Sequence, residues 1–366
     1  MSYRPVRNFE FRAVQVLMFL DIYREGLKLY KNPVKAFRAL RALQQHGAQV
    51  LAGKKLSKGF KINGKYGWDM FHPLWPSPAF RKFFHHHLEE VFPSGQNKGV
   101  LRRLLVAITK KCPLQCAHCS EWDTLNQKDI LSREDYEQKI RSMVDYGVSQ
   151  IVYSGGEPLN RFADLLCLIE KFSQTSQWIY TSGYGLTPEK AVQLKLAGLE
   201  GVAVSLDHHI PEEHNAFRGN SRSFFWVENA VRNCMEAGLF VSVNICPSRE
   251  YISSGGMDDF MALMRSWNVP SVNILEPRAV GHFAGQDVEL REEEKKILDK
   301  CFFKYNFSLP FDDYPVLTYP GISRKYVKCG GGISYLLLDY DGTLRPCPFC
   351  KTPMESPANR EVLCEA

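Results

Sequence analysis

From Leu104 onward the chain alternates between short, almost wholly apolar runs and longer segments in which apolar residues recur every three or four positions. The runs are LLVAIT, QIVYSGG, WIYTSG, GVAVSLD, FVSVNIC and SVNILEP. Between and after them lie SREDYEQKIRSMVDYG, FADLLCLIEKF, PEKAVQLKLAG, SFFWVENAVRNCMEAG, MDDFMALMRSW and REEEKKILDKCFFKY. Continuous apolar runs read as strands covered on both faces, and the 3.6-residue period reads as helices laying one apolar stripe over them. Ser132 predicts an N-cap, Gly147 a stop, and Pro188 a first helical turn. Six such βα units with right-handed crossovers make a parallel sheet. The period suits both a partial barrel and an open, doubly wound sheet.

Residues 1–100 follow another pattern. Val14 to Leu29 and Pro33 to Gln45 predict amphipathic helices with Lys and Arg on one side, FKINGKYGWDM a hairpin around Asn63-Gly64, and PAFRKFFHHHLEEVF a third helix. His85, His86 and His87 point in different directions on a helix, so a solvated face is expected there rather than a metal site. This segment holds 17 Lys and Arg against 6 Asp and Glu, which makes it strongly basic although the whole chain is only +6. Basic amphipathic helices suit an anionic membrane surface or an acidic peptide; a helical cap with a solvated basic face is the plainer alternative. The basic character stays off the catalytic body, and no nucleic-acid partner is expected. No apolar run is long enough to span a bilayer, and MSYRPVRNFEFR lacks the features of a signal peptide. The expected location is cytoplasmic, where eleven cysteines stay reduced, with residues 1–100 a candidate peripheral contact to the inner face of the membrane.

The candidate chemistry begins directly after the first apolar run. Cys112, Cys116 and Cys119, in KKCPLQCAHCS, can ligate three irons of a 4Fe-4S cluster and leave the fourth open. Zinc with His118 as fourth ligand would crowd four ligands into eight consecutive residues. Gly155, Gly156, Glu157 and Pro158 follow the second run. Ser182 ends the third, Ser205 and Asp207 end the fourth ahead of Arg218-Gly219, and Asn244 lies in the fifth. Each alone suits a cap or turn equally well; their common location at strand ends favours a ligand site.

In the cysteine spacing, the GGEP run and VSLD…RG, the chain resembles the radical S-adenosylmethionine (SAM) enzymes. That resemblance implies a (β/α)6 partial TIM barrel over residues 101–300, with SAM on the open iron. Gly155, Gly156 and Glu157 would engage the SAM ammonium. Ser182, Ser205, Asp207, Arg218 and Asn244 surround the positions of its carboxylate and ribose, and His118 takes the place of the aromatic residue that packs on adenine. An electron from a donor such as flavodoxin or ferredoxin would release a 5′-deoxyadenosyl radical that abstracts hydrogen from a substrate. A non-catalytic iron–sulfur electron carrier, the rival reading, would need no SAM pocket. Asp207, His208, His209, Glu276 and His282 are candidate proton acceptors for a later step.

Cys329, then YLLLD and TLRPC around Asp341-Gly342, then Cys347 and Cys350, predict a hairpin that brings cysteines together. This resembles the opening of the SPASM and twitch extensions. Four cysteines, counting Cys364, suffice for one auxiliary 4Fe-4S cluster, so residues 301–366 are expected to form a small twitch-like iron–sulfur extension; zinc on the same cysteines is the alternative. Cys167, Cys234 and Cys301 are expected in the core, with Cys246 either there or facing the cavity. Relatives with such extensions modify peptides, sulfatases and sugars. The basic appendage adds a membrane lipid or a ribosomal peptide as candidate substrates.

Overall fold

The structure, a computed structural model, describes residues 3–95, 100–327 and 329–357. Strands β1 (Arg4–Arg7), β2 (Lys58–Ile62) and β3 (Lys65–Gly67) form a small antiparallel sheet beside helices α1 (Asn8–Tyr30), α2 (Pro33–Val50) and α3 (Pro78–Val91). Six parallel strands follow: β4 (Arg103–Thr109), β5 (Gln150–Gly155), β6 (Ser176–Thr181), β7 (Gly201–Ser205), β8 (Phe240–Ile245) and β9 (Ser271–Ile274). The first three crossovers carry α4 (Arg133–Tyr146), α5 (Phe162–Lys171) and α6 (Pro188–Ala197). The next two carry α7 (Pro211–Arg218) with α8 (Ser223–Glu236), then α9 (Arg249–Ser253) with α10 (Gly256–Ser266). After β9 come α11 (Glu292–Phe307), β10 (Val316–Thr318), α12 (Pro320–Arg324), β11 (Tyr335–Leu338) and β12 (Leu344–Arg345). Ser132 and Asp135 form a full capping box at the start of α4, and Gly147 ends the helix.

The sheet is larger than the six strands expected, with order β10-β9-β8-β7-β6-β5-β4-β11-β12. β10 and β11 add in parallel to the two edges of the six-stranded sheet, and only β12 runs antiparallel. Open edges leave backbone donors and acceptors unpaired, and these short strands satisfy them. A boundary at residue 301 therefore cuts through α11, and the hairpin expected in a separate extension is continuous with the barrel sheet.

The residues of each strand alternate between two cores. Val106, Ile108, Ile151, Ile179, Val202, Val204, Val241 and Val243 join the apolar faces of the covering helices. On the opposite face Val152, Trp178, Ala203 and Phe240 meet Phe60, Ile62, Met70 and Leu74 from the N-terminal segment. The hairpin around Asn63-Gly64 is thus no free appendage: it closes the floor of the barrel. Phe60 and Phe240 have ring centroids 4.2 Å apart, and Gln150 donates from Nε2 to the Met70 carbonyl at 3.0 Å. The Lys58 ammonium, buried, donates to the carbonyls of Tyr305, Phe311, Tyr314 and Pro315.

The three histidines do not form a solvated face either. His87 packs edge-on to His46 and against Phe84, and the His86 ring occupies the space beside Gly147. Helix α3 is held there because Lys82 donates to the Val144 and Val148 carbonyls. Replacing the fully buried Phe60 by Ala is expected to destabilise the protein by about 3–5 kcal/mol, read as a lowered urea midpoint, because the cavity would open inside the barrel floor.

Candidate active site

The cysteine loop leaves β4 and is fastened at its root. Asp129 accepts from Thr109 Oγ1 and the Lys110 amide, and Asn126 Oδ1 accepts from the Cys112 amide at 2.9 Å. Across the loop, Gln115 and Ala117 donate backbone hydrogen bonds to Arg218 and Phe217 at the end of α7. This brings Arg218 to the thiols. Its Nη1 lies 3.6 Å from Cys116 Sγ, and its Nε donates to Asp207 Oδ2 at 2.6 Å. Burial would push the Asp207 carboxyl up, but Arg218, His118 and His214 together hold it below the usual carboxylate range. Burial pushes the Cys112 thiol up to about 12 and the Cys119 thiol up to about 11. Thiols so placed ionise only against positive charge, which a cluster supplies. Among the described residues no three or more His, Cys, Asp or Glu converge on a single metal ion; a cubane instead takes each thiolate on a different iron. The donor set and the adjacent guanidinium fit that group.

The other expected residues divide. Glu157 is buried, and its carboxylate accepts from Ser182 Oγ at 2.6 Å, the Ser182 amide, Thr181 Oγ1 and the Leu159 amide. It ties the end of β5 to the end of β6, with Ser182 as its partner, instead of facing outward to an ammonium. Burial pushes this carboxyl up against the pull of those hydrogen bonds. Gly155 and Gly156 are approached closely by the chain itself: a Cβ on either would lie 2.3 Å from the Thr109 carbonyl oxygen or 2.4 Å from that of Lys111. Ser205 and Asn244 pair in register, and Asn244 Oδ1 accepts from Asn273 Nδ2 at 3.3 Å. His118 lies 4.9 Å from the Phe217 ring, and burial pushes it down to about 4, so it is neutral and apolar in character.

Asn273 and Gly281 were not singled out from the chain, and His282 only as a candidate proton acceptor. Asn273 pairs in register with Asn244 because the run Ser-Val-Asn-Ile occurs in both β8 and β9, a repeat visible in the sequence. Gly281 and His282 bring the β9–α11 loop over the cysteines. The His282 amide donates to the Cys119 carbonyl at 2.9 Å, its Nδ1 lies 3.0 Å from the Cys116 carbonyl oxygen, and its ring stacks on Trp122 at 3.7 Å. Of the other candidate proton acceptors, Glu276 accepts from Tyr319 and Arg324, and His209 is bound to Tyr251 with His208 stacked beside it.

Lys110 is fully buried, paired with Glu121 and with Asp339 at 3.1 Å, its ammonium 4.5 Å from the Tyr340 ring centroid. It joins the cysteine loop to the β11–β12 hairpin. That hairpin carries Cys347, which is buried and accepts from the Cys350 amide at 3.3 Å. Gly332 donates to the Pro346 carbonyl, and the exposed Cys329 has its Sγ 3.7 Å from the Tyr335 hydroxyl. The Cys329 and Cys347 segments therefore meet beside Tyr335, while Cys364 lies outside the described residues. Cys350 is disulfide-bonded here, against the expectation that the cysteines stay reduced, so it can ligate a metal only after reduction. Cys234, Cys246 and Cys301 are buried; Cys167 is exposed, contrary to expectation, and receives Arg133 at 3.5 Å on the outer surface of its helix.

Residues 106–249 match the family model described as the Radical SAM superfamily. Residues 106–249 thus carry a radical SAM domain. A GTP 3′,8-cyclase of Desulforamulus reducens is 28% identical over 292 residues, covering 71% of this chain and 87% of the relative. Streptococcus suis SuiB bound to S-adenosylmethionine shares the fold at 14% identity, with a TM-score of 0.56 over 73% of this chain. The present chain spans 65% of that SuiB chain, just under two thirds of its length. SuiB bound to its precursor peptide SuiA matches 94% of this chain and 79% of that one, at 12% identity and a TM-score of 0.60. Radical SAM enzymes use a 4Fe-4S cluster and SAM, and the thiols of Cys112, Cys116 and Cys119 in this domain fit that cluster.

Two variants probe the loop. A Cβ at position 281 would lie 2.2 Å from the Cys119 carbonyl oxygen, at a backbone φ of +58°. Gly281→Ala is therefore expected to lower iron and acid-labile sulfide per chain after anaerobic reconstitution. Lys110→Met leaves Glu121 with only Lys351 and Asp339 with only Arg345 as charge partners, and a loss of about 1–3 kcal/mol in urea denaturation is expected. Hydrogen exchange should quicken at the β11–β12 amides.

Proposed function

We propose that this enzyme removes a hydrogen atom from an unactivated C–H bond of a membrane-resident substrate, with an auxiliary 4Fe-4S cluster on Cys329, Cys347 and, once its disulfide is reduced, Cys350. The observation that carries the reaction class is the meeting of Cys112, Cys116 and Cys119 with Arg218 and Asp207 at the C-terminal ends of the parallel strands. When bound, the first cluster and SAM supply a 5′-deoxyadenosyl radical that abstracts the hydrogen. Arg218 holds positive charge against Cys116 and orients Asp207, which also accepts from the Cys246 amide. The β9–α11 loop, through His282 and Gly281, covers the backbone of Cys116 and Cys119. Flavodoxin or ferredoxin would deliver the electron.

The substrate class is argued from two features. The hairpin at Asn63-Gly64 packs into the barrel floor through Phe60 and Ile62, so the basic appendage is fixed to the barrel with apolar residues of α1 left exposed. The curated relative's name assigns it GTP. In this chain the cleft between the cysteine loop and the hairpin sets Glu121, Asp123, Asp339 and Asp341 against Lys110, Arg345 and Lys351, so all three cations are already held by carboxylates. A triphosphate would meet like charge there. A lipid or lipid-linked substrate fits better, with the enzyme peripheral to the inner face of a membrane. No helix among the described residues is long and apolar enough to cross one.

The reaction class is tested by anaerobic reconstitution with iron, sulfide, SAM and dithionite. Wild type should form 5′-deoxyadenosine and Cys116→Ala should form none; equal yields would refute the reading. Cys347→Ala should lower bound iron from about eight to about four per chain while SAM cleavage persists, because each cubane holds four irons.

A further inference from the structure

We propose that the outward face of α1, extended by the first turn of α2, is a docking surface for an anionic lipid bilayer. Helix α1 is apolar on two opposite sides. Val14, Met18, Ile22 and Leu29 pack against α2 and α3. On the other side Phe9 is 85% exposed, Val16 59%, Leu20 49% and Leu27 37%. At 3.6 residues per turn these four fall on one line, with Leu17 beside them, along about 27 Å of helix. Val34 and Phe37 add to this surface from α2. An apolar stripe on a helix normally packs against a partner, yet no described residue covers this one. Of the 17 large apolar side chains exposed among the described residues, seven lie between Phe9 and Phe37. That concentration separates a surface with a partner from the scattered exposure ordinary in soluble proteins.

The charges select the partner. Arg12, Lys31, Lys35 and Arg38 are exposed and make no ion pair among the described residues. The acids of the same stretch are engaged: Glu10 by Arg4, Asp21 by Arg24, Arg81 and the Trp75 indole, and Glu25 by Lys28. The face thus presents an apolar stripe flanked by cations with no free carboxylate. This is the pattern of a helix lying in the plane of an anionic interface, apolar side down and basic side chains at the headgroups. A second copy of the chain would bring two such basic rims together, which like-charge repulsion opposes. The inference deepens the membrane placement proposed above and rests on that part of it alone, not on the radical chemistry.

The test uses the full chain with its cluster reconstituted, and sediments it with vesicles of phosphatidylcholine alone or mixed with phosphatidylglycerol. Wild type should bind the anionic vesicles only, and binding should fall as salt rises. The double variant Val16→Glu, Leu20→Glu, at two exposed positions, should bind at least ~10-fold more weakly, since it places carboxylates among the acyl chains. Its iron content and 5′-deoxyadenosine yield should match wild type, so a failed docking surface is told apart from a failed enzyme. Equal binding to both vesicle types, no binding to either, unchanged binding by the variant, or a dimer in solution that the variant dissociates would each overturn the proposal.

Discussion

Lys110 leaves the first barrel strand with its ammonium fully buried and shared between Glu121 in the cysteine loop and Asp339 in the C-terminal hairpin. A lysine removed from water in this way is tolerable only while both carboxylates stay in place. The pair therefore constrains two segments more than 200 positions apart in the chain. Lys351 binds Glu121 and Arg345 binds Asp339, so the constraint spreads through a network of alternating charge. The cysteine loop has almost no regular secondary structure, and its shape comes from this network together with the Asp129 and Asn126 hydrogen bonds.

The second support of the loop is steric. Arg218 and Phe217 approach from the end of α7, and Gly281 with His282 from the loop after β9. The three thiols thus sit between elements from three different βα units, with Glu157 fastening β5 to β6 alongside. A barrel whose strand ends converge makes such a meeting possible, because residues distant in sequence share one rim. The floor has the opposite character. Phe60, Trp178 and Phe240 fill it with apolar bulk, so the polar side chains are concentrated at the end where the thiols lie.

The appendage joins these two regions. Its hairpin belongs to the barrel floor and its third helix is held by Lys82 on the end of α4, so α1 and α2 are carried on a rigid base. A surface meant to meet a bilayer gains from such rigidity, since little ordering cost remains to be met on binding.

The strands, most of the helices and the three-cysteine loop were legible in the chain. They depend on local spacing: the 3.6 period, the run of β-prone residues, the Ser132 cap and the thiol separations are set by covalent neighbours. What only the tertiary structure decided depends on which distant faces meet. Glu157 could have faced a ligand, but β6 places Ser182 and Thr181 within reach of its carboxylate. The hairpin at Asn63-Gly64 was legible, but not its destination inside the barrel. The three histidines looked solvated until α3 was laid against α4, and α1 looked one-sided until its second apolar side was left uncovered. The sequence by itself determined the chemistry the chain can hold, because thiol spacing is a local property. Which side chains are free to serve that chemistry, and which face remains open to a partner, was decided by packing between segments far apart in the chain.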